Sequence, residues 1–180
     1  MAPRHKKPDM LYFAYGANMN TERNCRKAKI LTVARLPDHK LSFYEHSDIW
    51  DGGAETLISA AGEDLWGIVY QLAATDSDVL DIRQDAKQDG TGAYFHTPED
   101  VIGEDGKIYS VLVYKKAMLG NAEQPSEEQM ADIIASAEKH ALPMVYIEGL
   151  KKITTKKARY PVPMKGSVEE FLKNFVPCDC

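Results

Sequence analysis

Apolar and β-branched positions fall in many short runs along the chain. Leu11 to Ala14, Ile30 to Leu36, Leu41 to Tyr44, Thr56 to Ala60, Leu65 to Leu72, Ala93 to Thr97 and Tyr109 to Tyr114 each predict a strand. Between them stand PDHK, DGG, AGED and EDGK, where glycine or aspartate relaxes the usual φ restrictions and predicts a turn. So many short strands predict a closed or strongly curved sheet. Two stretches switch to helical spacing. In TDSDVLDIRQ, Thr75 with Asp78 three positions on has the spacing of a capping box, and Val79 and Ile82 supply an inner face. In PSEEQMADIIASAEKHALP, Ser126 and Gln129 repeat the cap, and Met130, Ile133, Ile134, Ala137 and Ala141 form an apolar stripe that ends before Pro143. Met130 is core filler there. A last short helix is expected over Val168 to Phe175.

A chain of 180 residues, 44% hydrophobic, is long enough for one domain with a real core. Residues 1–9 read as a tail, 10–153 as the domain, and 154–180 as an extended, proline-punctuated wrap and short helix of that domain. A formal charge of -5 argues against general affinity for nucleic acid or anionic membrane and favours a small-molecule partner. The basic start Arg4 to Lys7 runs into Pro8 and Asp9 instead of an apolar segment, so it does not read as a secretory signal. A cytoplasmic protein is expected. Cys25 lies in a helix-friendly stretch and Cys178 and Cys180 form a C-x-C; three cysteines make no disulfide framework and nominate no complete metal site.

One stretch carries candidate chemistry. MLYFAYGANMNTER breaks from an aromatic strand at Gly16 into small and amide residues, then turns helix-friendly. A strand that ends this way can turn successive backbone N–H groups toward one point, a nest for a carboxylate or an oxyanion. A tight turn with glycine chosen only for its φ accounts for the composition equally well.

YFAYGANM, Tyr12 to Met19, resembles the YGSN signature of the γ-glutamylcyclotransferase superfamily, with Ala17 where serine is usual. VARLPDHKLSFYE, WDGGAETLISAAGEDLWGIVYQL, VLD, GAYF and KHALPMVYIEGLKKI resemble later family segments in order, over about residues 10 to 153. The resemblance implies an α+β fold, a small mixed β-barrel with flanking helices. It implies a reaction in which the α-amine of a γ-glutamyl group attacks its own side-chain amide carbonyl, giving 5-oxoproline and a free amine without a cofactor. Tyr15, Gly16, Ala17, Asn18, Met19, Tyr94 and Tyr146 are the substrate-binding positions it implies, and a homodimer is an open expectation. Tyr114 reads more simply as an ordinary strand aromatic.

The reaction needs a proton carrier, because an ammonium must lose a proton before it attacks and the leaving nitrogen must gain one. The family's carboxylate is the glutamate of an L-D-x-x-E-G pattern, which here reads Leu80-Asp81-Ile82-Arg83-Gln84-Asp85. Gln84 stands in the catalytic place, and an amide cannot shuttle a proton near neutral pH. Three accounts stay open: an isosteric change made to trap a ligand, a natural relative that binds without turnover, or Asp85 as the substitute acid. Asp78 and Asp81 read as helix cap and surface. His46 with Asp48 and His96 with Glu99 read as surface-loop pairs, and His140 as a favourable charge at a helix C-terminus.

Overall fold

Alternation along β1 (Met10–Ala14) sorts its side chains between two cores: Tyr12 and Ala14 join one, Phe13 the other. The same period divides β3 (Gly52–Leu72), where Ile68, Tyr70 and Leu72 face the first core and Leu57, Leu65 and Val69 the second. The second core draws on all five strands, adding Ala34 and Leu36 of β2 (Lys29–Ser47), Val101 of β4 (Tyr94–Gly103) and Val111 and Val113 of β5 (Ile108–Lys116). It is therefore the barrel interior. The first core lies between the barrel wall and the helices. The computed structural model describes residues 9–24, 27–87, 89 and 91–164. Arg4 to Lys7, Cys25, the Val168 to Phe175 helix, Cys178 and Cys180 lie outside the described residues.

The strands close in the order β1-β3-β2-β4-β5, all antiparallel except β1 with β5, which pair in parallel at Tyr12 and Leu112. This is the small mixed β-barrel with flanking helices that the family resemblance implies. Four of the expected strands merge into two. The PDHK and AGED turn signals face each other across the β2–β3 ladder, where pairing jumps from Pro37–Asp64 to His39–Ser59. Asp38 takes φ 58° and its Oδ1 accepts the Gly62 N–H at 2.9 Å, so turn chemistry is spent on a bulge that bends the long strands around the barrel.

The helices are α1 (Thr21–Asn24), α2 (Ala74–Arg83), α3 (Glu127–Lys139) and α4 (Met144–Lys151). Ser126 caps α3 as expected, its hydroxyl accepting the Gln129 N–H at 3.2 Å, and Met130, Ile133 and Ala137 are buried. The expected cap of α2 is corrected. The cap lies two residues earlier than Thr75, at Ala73, which makes no side-chain cap; Leu80 is the buried apolar residue of the helix, and Ile82 is exposed. Helix α4 goes unforeseen because it starts directly after Pro143 and buries only Ile147 and Leu150. Residues beyond it return along the body, with the Ala158 N–H on Glu128 at 3.1 Å and the Tyr160 hydroxyl on the Asp48 carbonyl at 2.6 Å. None of the described helices is long and apolar enough to cross a membrane.

At Gly67 β3 passes close against the end of β1. A Cβ there would lie 2.1 Å from the Ala14 carbonyl oxygen, which is backbone in a closed ladder and cannot retreat alone. Gly67→Ala is expected to destabilise the fold by about 1–3 kcal/mol, the ordinary cost of overpacking. Denaturant unfolding at constant m-value measures it.

Candidate active site

The end of β1 opens a narrow pocket. Tyr15, Gly16 and Asn18 line it from the strand end and the 3-10 turn Ala17–Met19; Gln84 enters from the end of α2, Tyr94 from β4, Tyr114 from β5 and Glu55 from β3. The turn is fixed from behind by α3. The Asn20 amide and the Arg23 guanidinium both donate to Asp132, at 3.1 and 3.0 Å, and the His140 ring nitrogen Nε2 meets the Met19 carbonyl at 3.0 Å. His140, the C-cap of α3, thus holds the turn as well as ending the helix.

The structure brings together Tyr15, Gly16, Asn18, Gln84 and Tyr94. The Gln84 side-chain amide donates to Asn18 Oδ1 at 3.2 Å, joining the two carboxamides. Ala17 contributes its backbone N–H. Met19 does not line the pocket: it is fully buried in the core beneath the helices. Tyr146 is also elsewhere, packed against both cores, and burial pushes its phenol pKa up. Asp85 takes φ 48° and its carboxylate accepts the Ala93 N–H at 3.0 Å, so it closes the loop before β4 and is not among the pocket's lining residues. Tyr114 corrects the plain reading of it, because it lines the pocket and its hydroxyl donates to Asp81, a residue expected merely on the helix surface. His46 meets Asp51 at 3.4 Å as well as Asp48 at 3.6 Å, and Glu123 at 2.9 Å; with Arg159 on Asp51 and Lys156 on Glu123, these groups form a paired surface latch. His96 stacks obliquely on Tyr114 at 6.0 Å instead of occupying a loop. No cluster of three or more candidate metal ligands occurs among the described residues.

Glu55 is the residue sequence reading missed. Its two carboxylate oxygens accept the Ala17 N–H, each at 3.0 Å, so the nest at the Gly16 turn already faces a protein carboxylate. A Cβ on Gly16 would lie 2.2 Å from Glu55 Oε2. Since Gly16 has φ -132°, glycine is needed here for that close approach and not for a left-handed backbone. The Tyr94 hydroxyl donates to the Glu55 carbonyl at 2.6 Å and fixes the strand behind the side chain. Burial pushes the Glu55 carboxyl up from 4.5 to about 7, against the pull of the Ala17 N–H, Arg23 and the Gln129 amide; nearby Asp132 adds to the rise. Burial likewise raises the Tyr15, Tyr94 and Tyr114 phenols, which stay protonated. A signal for Glu55 was present: it alternates with Ala54 and Thr56 on the face of β3 that carries Leu57, a barrel-interior residue.

Fold and site together define a γ-glutamylcyclotransferase-like barrel protein. Curated gamma-glutamylcyclotransferases of Homo sapiens and Bos taurus align over 173 residues with 31% and 30% identity, covering 92% of this chain and 87% of each relative. A solved structure described as a gamma-glutamyl cyclotransferase superposes with a TM-score of 0.79 at 29% identity, over 93% of this chain and 99% of that one. A Bacillus subtilis protein of known structure shares the fold, with a TM-score of 0.69 at 20% identity over 83% of this chain and 56% of its own. No family-wide sequence profile matches. The chain belongs to the γ-glutamylcyclotransferase family.

The raised Glu55 pKa has a consequence for stability. The folded state holds this proton more tightly than the unfolded chain, so the stabilisation is complete below pH 4.5 and is lost as pH rises through about 7. Thermal melts across that window should show the loss, and Glu55→Gln should remove that component of the pH dependence. Identical pH dependence in the two proteins would contradict the proton-holding carboxyl.

Proposed function

We propose that the protein binds a γ-glutamyl amine or γ-glutamyl amino acid in the pocket at the end of β1 and converts it to 5-oxoproline and the free amine. The observation that supports this reading is the convergence of Tyr15, Gly16, Asn18, Gln84 and Tyr94 on one cavity in a member of this family. Nucleophile and electrophile arrive tethered, so the pocket need only fold the substrate back on itself and move protons; effective molarities for such intramolecular attack reach about 10⁵–10⁸ M. The joined carboxamides suit the substrate's polar groups. With Gln84 Nε2 donating to Asn18, the Asn18 NH2 group remains to donate to the carbonyl oxygen as charge grows there.

Gln84 itself favours a second reading, a protein that binds γ-glutamyl compounds without turning them over, because the position that resembles the family's catalytic glutamate holds an amide. Release of 5-oxoproline from γ-L-glutamyl-L-alanine by the purified protein tests the first reading, with Gln84→Glu as the discriminating variant. Turnover by the unaltered protein supports the cyclotransferase. Binding by both proteins, with release only from Gln84→Glu, supports the non-catalytic reading. Absence of product from both overturns the cyclotransferase. Gln84→Ala, which removes the contact to Asn18, is expected to weaken ligand binding by about 0.5–1.5 kcal/mol in calorimetry.

A further inference from the structure

The proposed reaction needs one positioned group that takes and returns protons, and Gln84 cannot serve. Among the described residues lining the pocket, Glu55 is the one carboxylate. It lines the same cavity as Gln84, and its backbone is pinned by the Tyr94 hydroxyl at 2.6 Å. Its side chain rests on the Ala17 N–H with both oxygens at 3.0 Å, in space that Gly16 leaves free. That contact uses one donor for two oxygens, so both keep lone pairs free. Tyr15 and Tyr94, whose hydroxyls donate to backbone carbonyls, do not compete for the proton.

We propose that Glu55 is the catalytic proton carrier of this chain, taking over from β3 the task that the family pattern places at position 84. The inference rests on the cyclotransferase reading above. The Glu55 carboxylate takes a proton from the substrate's α-ammonium. The freed lone pair forms the new C–N bond at the side-chain amide carbon, and the carbonyl π pair moves to oxygen. Protonated Glu55 gives its proton to the leaving nitrogen, and the restored carboxylate removes a second proton from the ring nitrogen. The oxygen pair re-forms the carbonyl as the old C–N bond breaks. Glu55 passes the second proton to the departing amine, which leaves as an ammonium. Two protons cross from the attacking to the leaving nitrogen and nothing else is consumed.

A corollary concerns recognition. Because the nest N–H of Ala17 already holds Glu55, the site presents negative charge to the substrate's α-ammonium at the point where a nest would otherwise take an anion. The substrate class is therefore a γ-glutamyl compound with a free α-amine; N-acylated analogues lack both the charge and the nucleophile.

The groups that face Glu55 are Tyr15 just after β1, Tyr94 of β4, Arg23 of α1, and Asp132 and Gln129 of α3. Arg23 and Asp132 are paired with each other. With the Glu55 carboxyl pushed up to about 7 by burial, the ascending limb of kcat against pH should have its midpoint at about 7.

The test is Glu55→Gln in the full chain, with γ-L-glutamyl-L-alanine and γ-L-glutamylmethylamide as probes, reading 5-oxoproline release against pH and probe affinity by calorimetry. Expected are a loss in kcat on the order of 10²–10⁴-fold, the usual worth of general acid–base catalysis, weaker probe affinity as the charge facing the α-ammonium is removed, and disappearance of the ascending limb. Glu55→Asp keeps the limb at a reduced rate. Should Glu55→Gln turn over like the unaltered protein, Glu55 is not the carrier although the cyclotransferase stands. Should the unaltered protein bind both probes and release no 5-oxoproline, the cyclotransferase reading falls first and the role of Glu55 with it.

Discussion

The contact between the Glu55 carboxylate and the backbone at Gly16 and Ala17 is the point at which fold and chemistry of this protein meet. β1 is hydrogen-bonded to β3 on one side and β5 on the other, so its end has nowhere to go except out of the barrel. The glycine lets that exit pass against β3 closely enough for a carboxylate on β3 to reach the first amide of the turn. A larger residue at 16 would push the carboxylate off, and an apolar residue at 55 would remove the carboxylate that the Ala17 N–H meets.

Everything around this contact limits its motion. The turn is clamped to α3 through Asp132 and His140, and α3 is itself anchored by the Ser126 cap and the core beneath it. On the other side Tyr94 grips the carbonyl of Glu55, and Asp85 holds the loop that delivers Tyr94. Asp85 thus matters to the site through the backbone it organises, although its own carboxylate never reaches the cavity.

A half-buried carboxyl with only one backbone donor is costly to ionise, and a structural role alone would be met more readily by an amide. The cost is reasonable where a proton has to be held at neutral pH and then released. That places the electrostatic strain of this fold at its pocket, while the surface latch of His46, Asp51, Glu123, Lys156 and Arg159 settles its charges among partners. There Arg159 holds the Asp51 carboxyl down at about 2.

Local pattern determined much of this protein. Period-two runs located every strand, Ser126 and its apolar stripe located α3, and the break at Gly16 located the mouth of the pocket, because each depends on residues near one another in the chain. Merging of strands through Pro37–Asp38 and Glu63–Asp64 was not legible, since whether turn residues reverse the chain or bend a strand depends on what lies across the ladder. The same limit hid Glu55. Its place on the apolar face of β3 was written in the alternation, but its meeting with Ala17, 38 positions away in sequence, exists only once β1 and β3 pair and the barrel closes. Tertiary structure alone also turned Asp85 toward Ala93 and sent Met19 and Tyr146 into packed cores, because side-chain direction at a turn or helix end is set by the neighbours it meets and not by its own residue type.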